Sequence, residues 1–216
     1  MRAALFINGA ITDYESIRPW LANVDYLIAA DGGAHHCLQM NRLPDAVVGD
    51  LDSLEEAVVT HLHAEGVHIE RHPTEKGQTD LELALEFALR AGAEEILLLG
   101  AVGGRLDQTL ANLLILAQRD WPARLLVIEG NQVAQLAPIG KKLTLQAAIG
   151  DTVSALPLSD SVTGITYTGM RYPLENATLR LGSTRGISNE VAVAPATVQI
   201  TSGHLLIIQT MTTAAQ

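Results

Sequence analysis

Between residues 3 and 130 one pattern repeats: a short apolar run, then a stretch whose apolar residues have helical spacing. The runs are Ala3–Ile7, Tyr26–Ala30, Ala46–Gly49, Val67–Ile69, Glu95–Leu99 and Arg124–Ile128. They are too short for helices, and most lack the alternation of a strand with one wet face, so they read as strands buried on both sides. Thr12 with Glu15, Ser53 with Glu56 and Thr79 with Glu82 have capping-box spacing and predict three helix starts. After the third, Leu81, Leu85, Ala88 and Leu89 share one helical face. Strands alternating with helices predict an α/β N-terminal domain, residues 1–130, with a mainly parallel sheet and helices on both faces.

After Gly130 the helical spacing stops. Short runs rich in Val, Thr, Ile and Leu follow, among them Leu143–Ala147, Thr152–Leu156, Val162–Tyr167, Ala177–Leu181, Val191–Val193, Thr197–Ile200 and Leu205–Gln209. Gly, Pro, Asn and Ser separate them, which predicts an all-β C-terminal sandwich domain over residues 131–216.

Parallel strands end along one edge of their sheet, so the polar residues after each run are expected to converge. Four such ends stand out: Asn8-Gly9, Asp31-Gly32-Gly33, Gly49-Asp50-Leu51-Asp52 and Gly103-Gly104-Arg105-Leu106-Asp107. Glycines let the backbone approach a ligand, and helix N-termini behind such loops offer amides to phosphate oxygens. None of the four is a Walker A loop or a dinucleotide Gly-x-Gly-x-x-Gly motif. If the segment is extended, Asp50 and Asp52 point the same way and can share a small hard cation. The plainer alternative is an acidic loop that only caps the next helix. Lys76-Gly77-Gln78-Thr79-Asp80 adds Asp80 at a helix start, either as a partner of the dipole or as a third ligand. Mg²⁺ suits such a set, since it takes a few carboxylates and completes its shell with water and phosphate oxygens.

A formal net charge of −10, with no lysine- or arginine-rich run, argues against a nucleic-acid or anionic-membrane surface. The single Cys37 allows no internal disulfide and fits a reducing compartment. The first apolar run is too short for a secretory signal, and a cytoplasmic location is expected. His35-His36-Cys37 and His61-x-His63 have metal-ligand residue types, but helical neighbours diverge, so they read as surface or packing residues.

These motifs, in this order, resemble the thiamine pyrophosphokinase (thiamine diphosphokinase) family along almost the whole chain. The matching stretches are Asn8-Gly9, Ala30-Asp31-Gly32-Gly33-Ala34, Gly49-Asp50-Leu51-Asp52-Ser53, Thr79-Asp80 and Gly103-Gly104-Arg105-Leu106-Asp107-Gln108. In the second half, Gly169-Met170-Arg171-Tyr172-Pro173-Leu174 and Gly182-Ser183-Thr184-Arg185-Gly186-Ile187-Ser188-Asn189-Glu190 match as well. The resemblance implies transfer of pyrophosphate from ATP to the thiamine hydroxyl, with AMP released. It implies Mg²⁺ on Asp50, Asp52 and Asp80, and nucleotide over the strand ends, where Asn8, Gly9, Asp31, Gly32, Gly33, Lys76, Thr79, Gly103, Gly104, Arg105 and Gln108 lie. It also implies a homodimer with composite sites, Ser188 and Asn189 falling on the thiamine side. Asp80 and Asp107 are the two carboxylates open to taking the hydroxyl proton.

The chain departs from the family pattern twice. Gly77 stands where members often carry Asp, and Gln108 where many bacterial members carry His. Two other functions fit parts of the pattern: a Mg²⁺-dependent phosphohydrolase using Asp-x-Asp, and a non-catalytic nucleotide-binding sensor. The first leaves the β domain unexplained, and the second does not require the three acids.

Overall fold

In the computed structural model, which describes residues 1–212, the chain divides into two compact units that meet in sequence at Gly130 and Asn131. The first unit opens with strand β1 (Arg2–Phe6), a short helix α1 (Tyr14–Ile17) and a 3-10 turn over Arg18–Leu21. Strand β2 (Tyr26–Ala30) leads through a tight turn, Asp31–Gly33, into helix α2 (Ala34–Gln39). Strand β3 (Ala46–Gly49), helix α3 (Glu56–Ala64), strand β4 (His68–Arg71), helix α4 (Asp80–Arg90), strand β5 (Glu95–Leu99), helix α5 (Leu106–Leu114) and strand β6 (Arg124–Glu129) complete it.

All six strands run parallel in the order β4-β3-β2-β1-β5-β6. The centre is apolar throughout: Ala3 to Phe6, Ile28, Val47, Val48 and Ile96 to Leu99 are buried. Beta-4 forms one edge and is the one strand that is not buried, with His68 and Arg71 exposed. The chain moves outward from β1 through β2 and β3 to β4, then returns to the other side of β1 for β5. The direction of winding therefore reverses between β1 and β5, and open α/β sheets bind ligands at such a point.

Two helix starts differ from the sequence expectation. Asp13, not Thr12, caps α1: its carboxylate accepts from the backbone N–H groups of Glu15 and Ser16. Helix α3 begins at Glu56 behind Glu55, with no side-chain cap, because Ser53 is drawn into hydrogen bonds with aspartates. The third expectation matches: Thr79 Oγ1 accepts from the Glu82 amide at the start of α4.

The second unit is antiparallel. Its strands are β7 (Gln132–Leu136), β8 (Lys142–Thr144), β9 (Thr152–Pro157), β10 (Ser161–Thr168), β11 (Ala177–Arg180), β12 (Asn189–Glu190), β13 (Thr197–Gln199) and β14 (Leu205–Thr210). One layer has the order β12-β9-β14-β7 and the other β11-β10-β13-β8. Val153, Ala155, Leu205 and Ile207 from the first layer meet Val162, Ile165, Leu179 and Val198 from the second in one core. This is the expected sandwich. Two details differ: β7 is an additional strand, and the stretch at Val191–Val193 makes only an isolated bridge, Met170 to Val191. Beside that core Asp151 is buried as a carboxylate, accepting from the amides of Ala148 and Thr212 and from the Thr212 hydroxyl.

Candidate active site

A cavity of about 680 Å³ lies over the reversal point of the parallel sheet. The loops after β1, β2, β3 and β5 all reach it, through Asn8 and Gly9, Asp31, Asp50 and Asp52, and Gly103 to Arg105. Lys76, Thr79 and Asp80, from the start of α4, line it too. Most of the sequence-predicted residues of the first unit are thus gathered at one place, with Gln108 among them, whereas Asp107 is not among the residues that line it. Gly32 and Gly33 are buried just beneath, where a Cβ would overlap the Asn8 amide and the Phe6 carbonyl.

Asp31, Asp50 and Asp52 each turn one carboxylate oxygen to a common point, the three oxygens lying within 4.8 Å of one another. The route to this cluster is not the expected extended segment. Leu51 adopts φ +65° and is itself buried, so the loop folds over its apolar side chain and leaves the two aspartates flanking it. Asp50 Oδ1 accepts from the Asp52 amide at 3.3 Å, which tightens the turn. Asp31 also sits in the left-handed region, at φ +45°, a conformation Asp tolerates better than most residues. It accepts from the Ser53 amide, and the Ser53 hydroxyl donates to Asp52.

Asp80 is placed differently. Its Oδ1 accepts from Lys76 Nζ at 2.6 Å and from the Asp50 amide at 3.2 Å, and Lys76 also reaches Asp50 Oδ2 at 3.2 Å. Lys76 therefore bridges the Asp31–Asp50–Asp52 cluster and Asp80. Burial disfavours ionisation of Asp50, but hydrogen bonds from Lys76 and the Asp52 amide outweigh it, and its pKa falls below the ordinary value. The same pair of carboxylates raises the pKa of Lys76 against its own burial. Hard oxygen donors this close together suit a small divalent cation such as Mg²⁺.

Arg105 and Asp107 form an exposed pair on the loop after β5, Nη2 to Oδ2 at 2.6 Å. That hydrogen bond holds Asp107 below and Arg105 above their usual ranges. Asn112, which sequence reasoning passed over, is buried at the cavity wall, where its Nδ2 donates to the Ala101 carbonyl. Its position six residues into the helix after the Gly-Gly-Arg loop was the available signal. Within α2, Cys37 is buried and its thiol is pushed up to about 12, while His35 is exposed and His36 is partly buried.

In the second unit Ser188 lies in the left-handed region at φ +57° and is exposed, its amide donating to Ser154 Oγ. Asn189 beside it is buried, and its amide group bonds the backbone of Tyr172. The two residues singled out on this segment thus have opposite surroundings.

Comparison with known proteins agrees with these two units. Residues 17–125 match the thiamin pyrophosphokinase catalytic domain, and residues 142–205 match the thiamin pyrophosphokinase vitamin B1 binding domain. The thiamine pyrophosphokinase of Bacillus subtilis (strain 168) is 31% identical over 183 residues, covering 84% of this chain and 86% of that protein. The crystal structure of thiamine pyrophosphokinase from Bacillus subtilis aligns with a TM-score of 0.87 at 26% identity, covering 99% of this chain and all of that one. That of a thiamin pyrophosphokinase family protein from Enterococcus faecalis aligns at 0.83 and 25% identity, over 97% and 99% of the two chains. With both domains matched in order and the acidic cavity formed by the first, this chain belongs to the thiamin pyrophosphokinase family.

Proposed function

We propose that this chain transfers a pyrophosphoryl group from ATP to the hydroxyl of thiamine, giving thiamine diphosphate and AMP. The observation that carries the reading is the meeting of Asp31, Asp50 and Asp52 at one point of a glycine-lined cavity over the sheet reversal. The thiamine pyrophosphokinase name of its relatives supports the substrate and the product.

In the reaction the thiamine oxygen bonds to the β-phosphorus while the bond from that phosphorus to the bridging oxygen breaks. AMP leaves with the bridging oxygen. Most of the catalysis in such a transfer is positioning and stabilisation of charge on phosphate oxygens. Asp50 and Asp52, with Asp31 or Asp80, would hold Mg²⁺, which would supply positive charge for phosphate oxygens. Asn8, Gly9, Gly32, Gly33, Gly103 and Gly104 shape the cavity so that phosphates approach backbone. Lys76, Thr79, Arg105 and Gln108 bring donors to it. Asp107 and Asp80 remain the two carboxylates for the hydroxyl proton. Asp107, kept acidic by Arg105, is a weak base, which suits a loose transition state in which the proton leaves late.

The same reading includes a homodimer in the cytoplasm, in which the β unit of one copy lends the segment around Ser188 to thiamine bound at the other. Leu106, Leu110 and Leu114 support a partner surface: they follow one another at i, i+4 and i+8 along α5 and are exposed. The deciding assay is AMP formation from ATP with and without thiamine. Thiamine-dependent AMP is the expected result. Phosphate release without thiamine would favour the phosphohydrolase, and ATP binding with no turnover would favour the sensor.

A further inference from the structure

His36, which no part of the proposed chemistry uses, is tied to the rim of the cavity. It is on α2, partly buried, with its ring 6.2 Å from that of Phe6 and 5.8 Å from that of Tyr14. Its Nε2 lies 2.8 Å from the Gly9 carbonyl oxygen, and its Nδ1 lies 2.6 Å from the Tyr14 hydroxyl. A carbonyl oxygen can only accept, so Nε2 carries the proton. Burial pushes the imidazole below its ordinary pKa, more than the Gly9 hydrogen bond raises it, so the ring is neutral near pH 7. Nδ1 then has a free lone pair, and the Tyr14 hydroxyl donates to it. Gln39 Oε1 lies 3.0 Å from the same hydroxyl and is a second, more distant acceptor for its one proton.

Gly9 needs such a support. A Cβ there would overlap the Gly100 carbonyl, so the position must be glycine, and glycine is the residue that least restricts its own backbone. Its N–H is already used, donating to the Gly100 oxygen at 3.0 Å. His36 takes the remaining group. The loop is thus held on one side by the end of β5 and on the other by α2, and Asn8, Gly9 and Ala10 form the cavity wall between.

We propose that His36 is a positioning residue for the nucleotide: its Nε2–H bond to the Gly9 carbonyl, with Tyr14 donating to Nδ1, fixes the Asn8-Gly9-Ala10 wall in the form that receives the phosphates. The inference rests on reading this cavity as the ATP site. A purely structural histidine would alter stability but not nucleotide affinity.

The test is equilibrium ATP binding by calorimetry, with both KM values measured alongside. His36→Leu should weaken ATP binding about tenfold, as expected for one lost hydrogen bond to an ordered loop, and leave the thiamine KM within about twofold. His36→Gln, whose amide can donate to Gly9, should recover most of the loss. Tyr14→Phe should give a smaller loss and keep the Nε2–H tautomer, seen as a single population in imidazole ¹⁵N NMR, because the Gly9 carbonyl still accepts from Nε2. ATP affinity unchanged in His36→Leu, equal rises in both KM values, or a His36→Gln variant as weak as His36→Leu overturns the proposal. If the wild-type chain binds ATP but forms no AMP with thiamine, the catalytic reading fails while this one is still decided by the binding series. A wild type that binds no ATP overturns both.

Discussion

The side-chain amide of Asn189 pairs with both backbone groups of Tyr172: Oδ1 accepts its N–H at 3.0 Å and Nδ2 donates to its carbonyl at 2.7 Å. Oδ1 also accepts from the Glu190 amide at 2.9 Å. A side chain with these obligations joins the Tyr172 turn to β12 and has little capacity left for a ligand.

Asn189→Ala is therefore expected to lower stability by about 1 to 3 kcal/mol, since it takes the partner from three part-buried backbone groups. Urea unfolding measures this directly. A variant of unchanged stability whose thiamine KM alone has risen would return Asn189 to direct contact with substrate.

The carboxylate cluster makes a second prediction. Asp31→Asn, Asp50→Asn and Asp52→Asn should each keep the fold and lose at least a few hundred-fold in turnover, about 3 to 4 kcal/mol of transition-state stabilisation. Asn tolerates the left-handed backbone at Asp31, so a loss there reports charge, not strain. Mn²⁺ titration of the free protein gives an independent reading, and unaltered affinity in all three variants would remove the metal assignment.

Lys76 sets an acid limb. Asp50 has a depressed pKa in the folded state, so its stabilising contacts are present above its unfolded pKa and vanish as pH falls through the folded one. Lys76→Met removes the principal partner that opposes desolvation, and Asp50 should then protonate at higher pH. The acid limbs of kcat/KM and of thermal stability should both move up. Limbs that stay in place would show that Lys76 is not what keeps Asp50 ionised.

The leucine stripe of α5 predicts association. Leu110→Glu with Leu114→Lys should give a folded chain that sediments as a monomer, since charge on an apolar contact surface opposes docking. Wild-type chain that is monomeric at micromolar concentration would remove the stripe as an interface.

Asp151 makes a prediction for the β unit alone. Desolvation opposes its charge, but the amides of Thr212 and Ala148 and the Thr212 hydroxyl overcome this and lower its pKa. Its contribution is present above the unfolded pKa and lost as pH falls through the folded one. Asp151→Ala should cost about 2 to 4 kcal/mol at pH 7, the range for stranding charge-assisted partners, and much less in strong acid. A loss that does not depend on pH would contradict this account.

The central parallel strands were readable because each has an apolar run with nothing polar to interrupt it, whereas the edge strand β4, with His68, Glu70 and Arg71, was legible only through Val67 and Ile69. Beta-7 was missed because Gln132 and Gln135 break its run, although Gln135 is buried. Ser53 has the right spacing for a cap, but hydrogen bonds to Asp31 and Asp52 compete for it, and spacing along the chain cannot show that. The acidic pair was found for an incomplete reason. Alternation in a strand was expected to align Asp50 and Asp52, whereas the burial of Leu51 in a left-handed turn does so, and brings Asp31 in as well. The family resemblance placed Ser188 and Asn189 together on the thiamine side, yet partners are a property of tertiary structure, and Asn189 spends its groups on Tyr172.

The place of β1 in the sheet has a consequence for synthesis. This strand is made well before its partner on one side, β5, in which Glu95, 93 residues later, aligns with Arg2. Until that partner emerges, the nascent chain can pair β1 only with β2, and one side of a strand that is apolar from Ala3 to Phe6 has no neighbour. Non-local pairing of this kind is slow and leaves sticky edges open meanwhile. The loop after β5 completes the cavity in this late step, so a truncated chain released before β5 has neither a full sheet nor a complete cavity, and a chaperone that shields β1 during translation would act on the yield of folded chain.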